Sequence, residues 1–277
     1  MKKSKFELSQ PNKSEFEMGS PERFGYEWDK FDKIIPDYED QFLKWSFPLT
    51  KKDFKGKKVL DGGCGIGRNS YWPLLYGAKE IYAFDCDKRS LASAKRNLIE
   101  FKNATIEYGS LYNPKSKNEN KFDISFAIGV IHHLQDPRKA IQTLVKATKP
   151  GGTVYIWVYG YEGVGSWVVR YVNPVRRITS KFPPVITRFL SYFFSIPLYF
   201  YLKLFPHKNK YFKQLSGFSF WHISHIIFDQ LLPRIANYWT KEEALDLFKN
   251  QRLKDIKIYK TNEISWTVVG RKIRKTK

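Results

Sequence analysis

The stretch that most constrains this chain runs from Lys57 to Arg68, Lys-Lys-Val-Leu-Asp-Gly-Gly-Cys-Gly-Ile-Gly-Arg. Val59 and Leu60 read as a short buried strand, Asp61 stands at its end, and a glycine-rich turn follows at once. Glycine lets the backbone take positive φ and leaves no Cβ between chain and ligand. Such a turn between a parallel strand and a helix is where doubly wound sheets hold nucleotide-like ligands. The spacing is Asp-x-Gly-x-Gly-x-Gly through Asp61, Gly63, Gly65 and Gly67. It is not the dinucleotide Gly-x-Gly-x-x-Gly, because Arg68 or Ser70 stands where the last glycine would be. The dinucleotide turn aims a helix N-terminus at a pyrophosphate. The present loop, with its acid, suits a nucleoside carrying an amino-acid tail, whose ammonium a carboxylate or carbonyl can meet.

Downstream the chain supplies the rest of a sheet. Asn69 to Tyr76 reads as a helix with Pro73 in its first turn, ended by Gly77. Ile81 to Asp85 is a second strand ending in an acid, 18 residues past Gly67, close to the ~20 expected of a carboxylate that takes ribose hydroxyls. Asp87 fits the N-cap of a helix over 88–101. Ala104 to Tyr108 is a third strand, followed by Gly109-Ser110-Leu111, and 113–121 is a surface loop. Phe122 to Ile128 reads as a fully buried strand leading into Gly129-Val130-Ile131-His132-His133. Asp136-Pro137 opens a helix that closes at Lys149-Pro150-Gly151-Gly152, and Thr153 to Tyr159 is the fifth strand. Asp255 to Lys260 and Ile264 to Gly270 complete the sheet as a hairpin.

These stations together resemble the class I S-adenosylmethionine-dependent methyltransferases, over a span from Phe24 to Lys272. The resemblance implies an α/β fold: a Rossmann-like, seven-stranded, mostly parallel sheet with a C-terminal antiparallel hairpin and an aromatic-rich helical insert before the last two strands. It implies S-adenosylmethionine as methyl donor and no metal. Asp61, Gly62, Gly63, Cys64, Gly65 and Gly67 would then hold the methionine end, Asp85 with Cys86 the ribose, Ser110 and Leu111 the adenine, and Gly129 and Val130 the sulfonium. The family commonly has Asp where Ser110 stands, and a hydroxyl accepts the adenine amino group more weakly. His132, beside the methyl donor, and Asp229, in an Asp-x-x-x-Pro turn like that of one branch, are the catalytic candidates. A histidine's near-neutral pKa makes it competent as a base, although an activated sulfonium needs alignment and dryness more than a base. Phe24-Gly25-Tyr26-Glu27-Trp28 resembles the entry segment of a bacterial and archaeal branch, which puts Tyr26, Trp28, His133 and Tyr159 on the substrate side. By pattern alone the following stripe of Tyr38, Phe42 and Trp45 is a helix packed on the sheet; the resemblance makes it a lid.

The expected organisation is a disordered tail at 1–22, a helical lid at 23–50, a cofactor-binding core at 51–160, an aromatic and basic insert at 161–232, and a closing helix, strands and basic tail at 233–277. Within the insert, Arg170, Arg176, Arg177, Lys181 and Arg188 precede an apolar run over 189–202. That run is short of the ~20 residues a bilayer span requires, and Pro197 interrupts it, so no transmembrane segment is expected. It reads as the core of a substrate lid, as an interfacial anchor on anionic membrane through 176–206, or as an oligomer contact. His222 and His225 have no partner at metal-ligand spacing. Two cysteines make neither a disulfide framework nor a zinc pattern; with no apolar leader this fits a cytoplasmic protein, soluble or peripheral to the membrane.

The net charge of +21 favours phosphate-bearing partners, RNA or an anionic membrane, or simply a solvated basic surface. The expected activity is methyl transfer to a small-molecule, lipid or glycan acceptor. The alternative is RNA, since Ile131-His132-His133 and Trp157-Val158 also resemble the wobble-uridine tRNA methyltransferases. A non-catalytic scaffold with the same fold is the third reading.

Overall fold

The computed structural model describes residues 21–30, 32–112, 119–208 and 210–274. The expectations for the tail at 1–20, for most of the 113–121 loop and for 275–277 lie outside the described residues. The chain opens with α1 (Pro21–Lys30), α2 (Tyr38–Ser46) and α3 (Lys51–Phe54), then alternates β1 (Lys58–Gly62), α4 (Arg68–Leu75), β2 (Glu80–Asp85), α5 (Lys88–Asn97), β3 (Ala104–Tyr108), β4 (Phe122–Ile128), α6 (Pro137–Ala147) and β5 (Thr148–Tyr159). Five α-helices follow among the described residues, with a π-helical stretch (Val168–Val172) between the first two: α7 (Val164–Trp167), α8 (Asn173–Thr179), α9 (Pro184–Leu204), α10 (Lys210–Ser216) and α11 (Phe220–Leu231). Then come α12 (Lys241–Asp246), β6 (Leu253–Thr261) and β7 (Ser265–Lys272).

The seven strands form one sheet in the order β3-β2-β1-β4-β5-β7-β6. β1 to β5 are parallel, and β7 runs antiparallel to both β5 and β6. Central strands of a parallel sheet are covered on both faces and so read as continuous apolar runs. Accordingly Leu60, Phe84 and Val154 pack under Ile141 and Leu144 of α6, while Val59, Ile81 and Phe126 pack under Phe42 and Trp45 of α2 and Trp72 of α4. The strand order reverses between β1 and β4, and chain leaving the C-terminal ends of those strands opens a crevice there.

Local chemistry sets the ends of the elements. Gly67 takes φ 80° at the start of α4, a left-handed conformation that favours glycine. The Asp87 carboxylate accepts the Arg89 and Ser90 amides and caps α5, and Thr240 with Glu243 forms a reciprocal capping box on α12. Four details differ from the sequence reading. Pro73 lies inside α4, not in its first turn. α5 ends at Asn97, short of 101. β5 begins at Thr148, because Phe122 pairs with Thr148 before the register shifts and Ile124 pairs with Thr153. The apolar run over 189–202 belongs to a helix of 21 residues that continues through Pro197, so its length no longer excludes a bilayer span.

A buried guanidinium ties the insert to α1. Arg23 of α1 donates from Nε to the Leu232 carbonyl (2.5 Å), from Nη1 to the Phe182 carbonyl (2.7 Å) and from Nη2 to Thr187 Oγ1 of α9 (3.1 Å). Arg176 of α8 closes the other side, on the carbonyl and side chain of Gln230 and on the Tyr238 hydroxyl. Each is a charge-assisted set on buried acceptors, which leaves a costly orphan if the cation is removed.

Candidate functional site

The loop after β1 is built by its glycines. Gly63 and Gly65 take φ 79° and 53°, and the amides of Gly63 and Cys64 donate to the Phe84 carbonyl at 2.8 and 3.0 Å. Asp85, at the end of β2, reaches under the loop: Oδ2 accepts the Gly65 amide and Oδ1 the Asp87 amide, both at 2.9 Å. Burial pushes this carboxyl up to about 6 while the amide bonds pull it down. A carboxylate offers about four lone-pair sites, more than the Gly65, Asp87 and Cys86 amides take up, so capacity remains for a ligand's hydroxyl.

A cavity of about 330 Å³ opens here, within the ~300–1,000 Å³ range of small-molecule clefts. One end is walled by Gly63, Cys64, Gly65, Asp85, Cys86, Ser110, Leu111, Gly129 and Val130, all read from the sequence as cofactor residues. Two glycines leave room that a side chain would occupy: a Cβ on Gly129 would meet nothing within 4 Å, and one on Gly65 nothing nearer than the Trp28 indole at 3.7 Å. The space, the strand-end acid and the amide-lined loop fit a nucleoside with an amino-acid tail. The Ser110 hydroxyl accepts the Tyr112 amide at 3.0 Å, so part of its capacity is spent on its own turn.

Three residues of that group stand behind the wall. Asp61 is buried beneath the loop, where Oδ2 accepts from the Ser70 hydroxyl at 2.7 Å; burial pushes it up to about 7. A Cβ on Gly62 would strike Leu111 at 2.9 Å, and one on Gly67 would strike Leu98 at 3.0 Å. These three shape the loop and do not face the cavity, which corrects the expectation that they touch the methionine end.

The far end of the cavity is aromatic and acidic. Phe24, Trp28, Trp157, Tyr159 and His133 line it with His225, Asp229 and Gln230 of α11. Tyr159 donates to Asp229 Oδ2 at 3.3 Å and accepts from Gln230 Nε2 at 3.3 Å. Behind His225, its Nε2 lies 2.8 Å from Oε1 of the fully buried Glu27. Burial drives both toward their uncharged forms, Glu27 up to about 8 and His225 down to about 4. Burial and the neighbouring Glu27 push Asp229 up to about 7. Arg68 also lines the cavity, its guanidinium 4.7 Å from the Tyr38 ring centroid, 5.2 Å from Trp45 and 5.6 Å from Trp28.

Sequence reasoning missed Glu27, His225 and Arg68 as site residues, and it placed two others wrongly. His132 is fully buried, stacked on Tyr159 at 3.6 Å, and outside the cavity wall. Neither of its ring nitrogens has a hydrogen-bond partner among the described residues, and burial holds its pKa well below the usual imidazole range. A ring that cannot reach the cavity is not a base for it. Tyr26 likewise turns away, toward the Phe228 ring at 6.3 Å. His133 does face the cavity, with Nδ1 2.8 Å from the Ile235 carbonyl. Among the described residues no group of three or more His, Cys, Asp or Glu is placed to hold a metal.

Residues 60–156 match the methyltransferase domain family known as type 11. Over those residues the chain is similar to methyltransferase domains, and its sheet has the fold of the class I S-adenosylmethionine-dependent methyltransferases. The chain is 33% identical over 165 residues to the tRNA U34 carboxymethyltransferase of Campylobacter curvus, covering 57% of this chain and 53% of that protein. It is 29% identical over 130 residues to the ubiquinone biosynthesis O-methyltransferase of Pseudomonas putida, covering 46% and 55%. It thus spans about half the length of the curated relatives it matches. Solved structures of the same fold include the human N-acetylserotonin methyltransferase in complex with S-adenosylmethionine, with TM-score 0.53, 15% identity, and coverage of 94% of this chain and 58% of that one. A methyltransferase from Aquifex aeolicus gives TM-score 0.51 and 15% identity, with coverage of 91% and 98%.

Proposed function

We propose that the protein moves a methyl group from S-adenosylmethionine to a small-molecule acceptor, or to the head of a lipid or glycan, and that Asp229 takes the proton the acceptor gives up. One observation carries this reading: the glycine-loop end and the acidic, aromatic end belong to a single cavity. S-adenosylmethionine, when bound, supplies a methyl group already activated by positive sulfur. The chain's own residues then have three tasks. Asp85 and the loop amides orient the nucleoside end, with Arg68 available to an anionic group. The rings of Phe24, Trp28, Trp157 and Tyr159 exclude water and align the acceptor. Asp229, poised near neutrality beside the uncharged Glu27, accepts the proton that the acceptor gives up.

Calorimetric titration with S-adenosylhomocysteine tests the cofactor end. Micromolar binding that Asp85→Asn weakens at least about tenfold is expected, from the ~1.5–3 kcal/mol of a hydrogen bond to a charged group; a folded protein that binds nothing overturns the reading. Incubation with methyl-labelled donor and separated extracts of lipids, polar metabolites and tRNA tests the other end. Label in the first two fractions is expected. The tRNA reading rests on the likeness to the Campylobacter curvus protein, and label in that fraction would establish it.

A further inference from the structure

α9 is built inside out. Its inward stripe is Thr187, Ser191 and Ser195, fully buried, then Leu202. The three hydroxyls are satisfied by backbone carbonyls, Thr187 on Thr179 at 2.9 Å, Ser191 on Arg188 at 2.7 Å and Ser195 on Ser191 at 2.7 Å. Small residues let α9 lie close along α11, and Leu202 joins Leu215 of α10 and Ile223 of α11 in a satellite core. The opposite face carries Ile186, Phe189, Phe193, Ile196, Phe200 and Leu204, at helical spacing. All are exposed, with Phe189 at 64%, Phe193 at 66% and Leu204 at 71%. A row of large apolar side chains this long is not left facing water without a partner.

Charge says which partner. From 163 to 228 the chain has nine Lys and Arg and no Asp or Glu. Arg177 and Lys181 lie exposed before α9, and Lys203 and Lys208 at and beyond its end. A second copy would set two such cationic surfaces against each other, and a nucleic acid would have no use for the phenylalanines. An anionic bilayer satisfies both features, acyl chains for the stripe and headgroups for the cations. The helix is long enough to span, at about 31 Å by the 1.5 Å rise per residue, but spanning would pull it off α11, which carries His225 and Asp229 into the cavity. We propose that α9 is an in-plane anchor, its outward stripe in the headgroup–acyl boundary of an anionic membrane. Since α10 and α11 wall the cavity on one side and pack on α9 on the other, docking sets that wall of the site against the lipid surface.

Flotation of the full chain with vesicles tests this, independently of methyl transfer. Vesicles of mixed phosphatidylglycerol and phosphatidylcholine should carry the protein up the gradient, and pure phosphatidylcholine vesicles should carry at least about tenfold less, given ~1 kcal/mol per cation at an anionic surface. The triple variant Phe189→Ser, Phe193→Ser, Phe200→Ser should lose flotation by a similar factor or more, with S-adenosylhomocysteine titration unchanged as proof of fold. A Phe193→Trp variant should shift its emission to the blue on the anionic vesicles. The proposal is overturned if the folded wild type stays at the bottom of the gradient, or if the triple variant floats as well as it does. It is also overturned if sedimentation shows a dimer that the triple variant dissolves and vesicles do not.

Discussion

Asp229 and Glu27 come from opposite ends of the chain and meet only because α1 lies against α11. No local pattern announces such a pair: Glu27 sits in an aromatic helix where a carboxylate reads as a solvent-facing residue, and His225 reads as a core histidine. Asp85 was legible, because a strand-end acid after a glycine turn has its position fixed by backbone geometry alone. His132 shows the opposite failure, since a strand end beside the cofactor cleft does not reveal which way the ring turns. The base role predicts that Asp229→Asn lowers kcat by ~100-fold or more, the typical contribution of a positioned base, while S-adenosylhomocysteine affinity is kept. Equal loss of both would make Asp229 a binding residue. The same burial predicts the pH dependence of stability. Glu27, Asp229, Asp61 and Asp85 have folded pKa values raised above the ~4 of an unfolded carboxyl. Their contribution is complete below that value and is lost as pH rises through about 6 to about 8. His225 and His133 are depressed to about 4 and about 3, and His132 and His222 are also lowered. Those rings oppose folding below the unfolded imidazole pKa of ~6.5. Urea midpoints of the ligand-free protein should therefore fall between pH 6.5 and 8, at most ~1.4 kcal/mol per pH unit for each group. Glu27→Gln should make that fall shallower, and an unchanged slope would assign the titration elsewhere.

The elements of the sheet were readable because its central strands are covered on both faces and the glycine turn after β1 and the cap of α5 mark their own places. The insert was not, because its longest helix obeys a pattern with the faces exchanged. In α9 the period-3.6 stripe that packs inward is serine and threonine, so counting apolar residues finds the exposed face and truncates the helix at 189. The helix begins at Pro184 and survives Pro197 because a proline removes only one amide donor and crowds one carbonyl. Its burial predicts opposite results for two substitutions of similar size. Ser191→Leu forces bulk between α9 and α11 and should cost ~1–3 kcal/mol in urea unfolding. Phe193→Ser removes bulk from the outer face and should stay within ~0.5 kcal/mol of wild type. If Phe193→Ser were the more damaging, α9 would be packed the other way round and the anchor would have no face to offer.

At the scale of the molecule the question is what +21 is for. Spread evenly, such a charge holds polyanions weakly and without preference. It is not even: the stretch 163–228 holds cations and no acid, while acids such as Glu27 and Asp61 are buried away from the surface. A surface that is both cationic and apolar responds to salt in a way that tells its partners apart. Nucleic-acid binding is driven by counterion release, so its log affinity falls linearly with log salt, by ~10³–10⁵ between 50 and 200 mM for six to ten phosphate contacts. Membrane docking loses only its cationic share over the same range, because the phenylalanine stripe is indifferent to screening. With tRNA and anionic vesicles titrated against the same protein at both salt concentrations, tRNA retention should collapse while vesicle binding weakens by about tenfold or less. Vesicle binding that falls as steeply as tRNA binding would mean that charge alone holds the protein at the lipid surface and that the outward face of α9 contributes nothing to it.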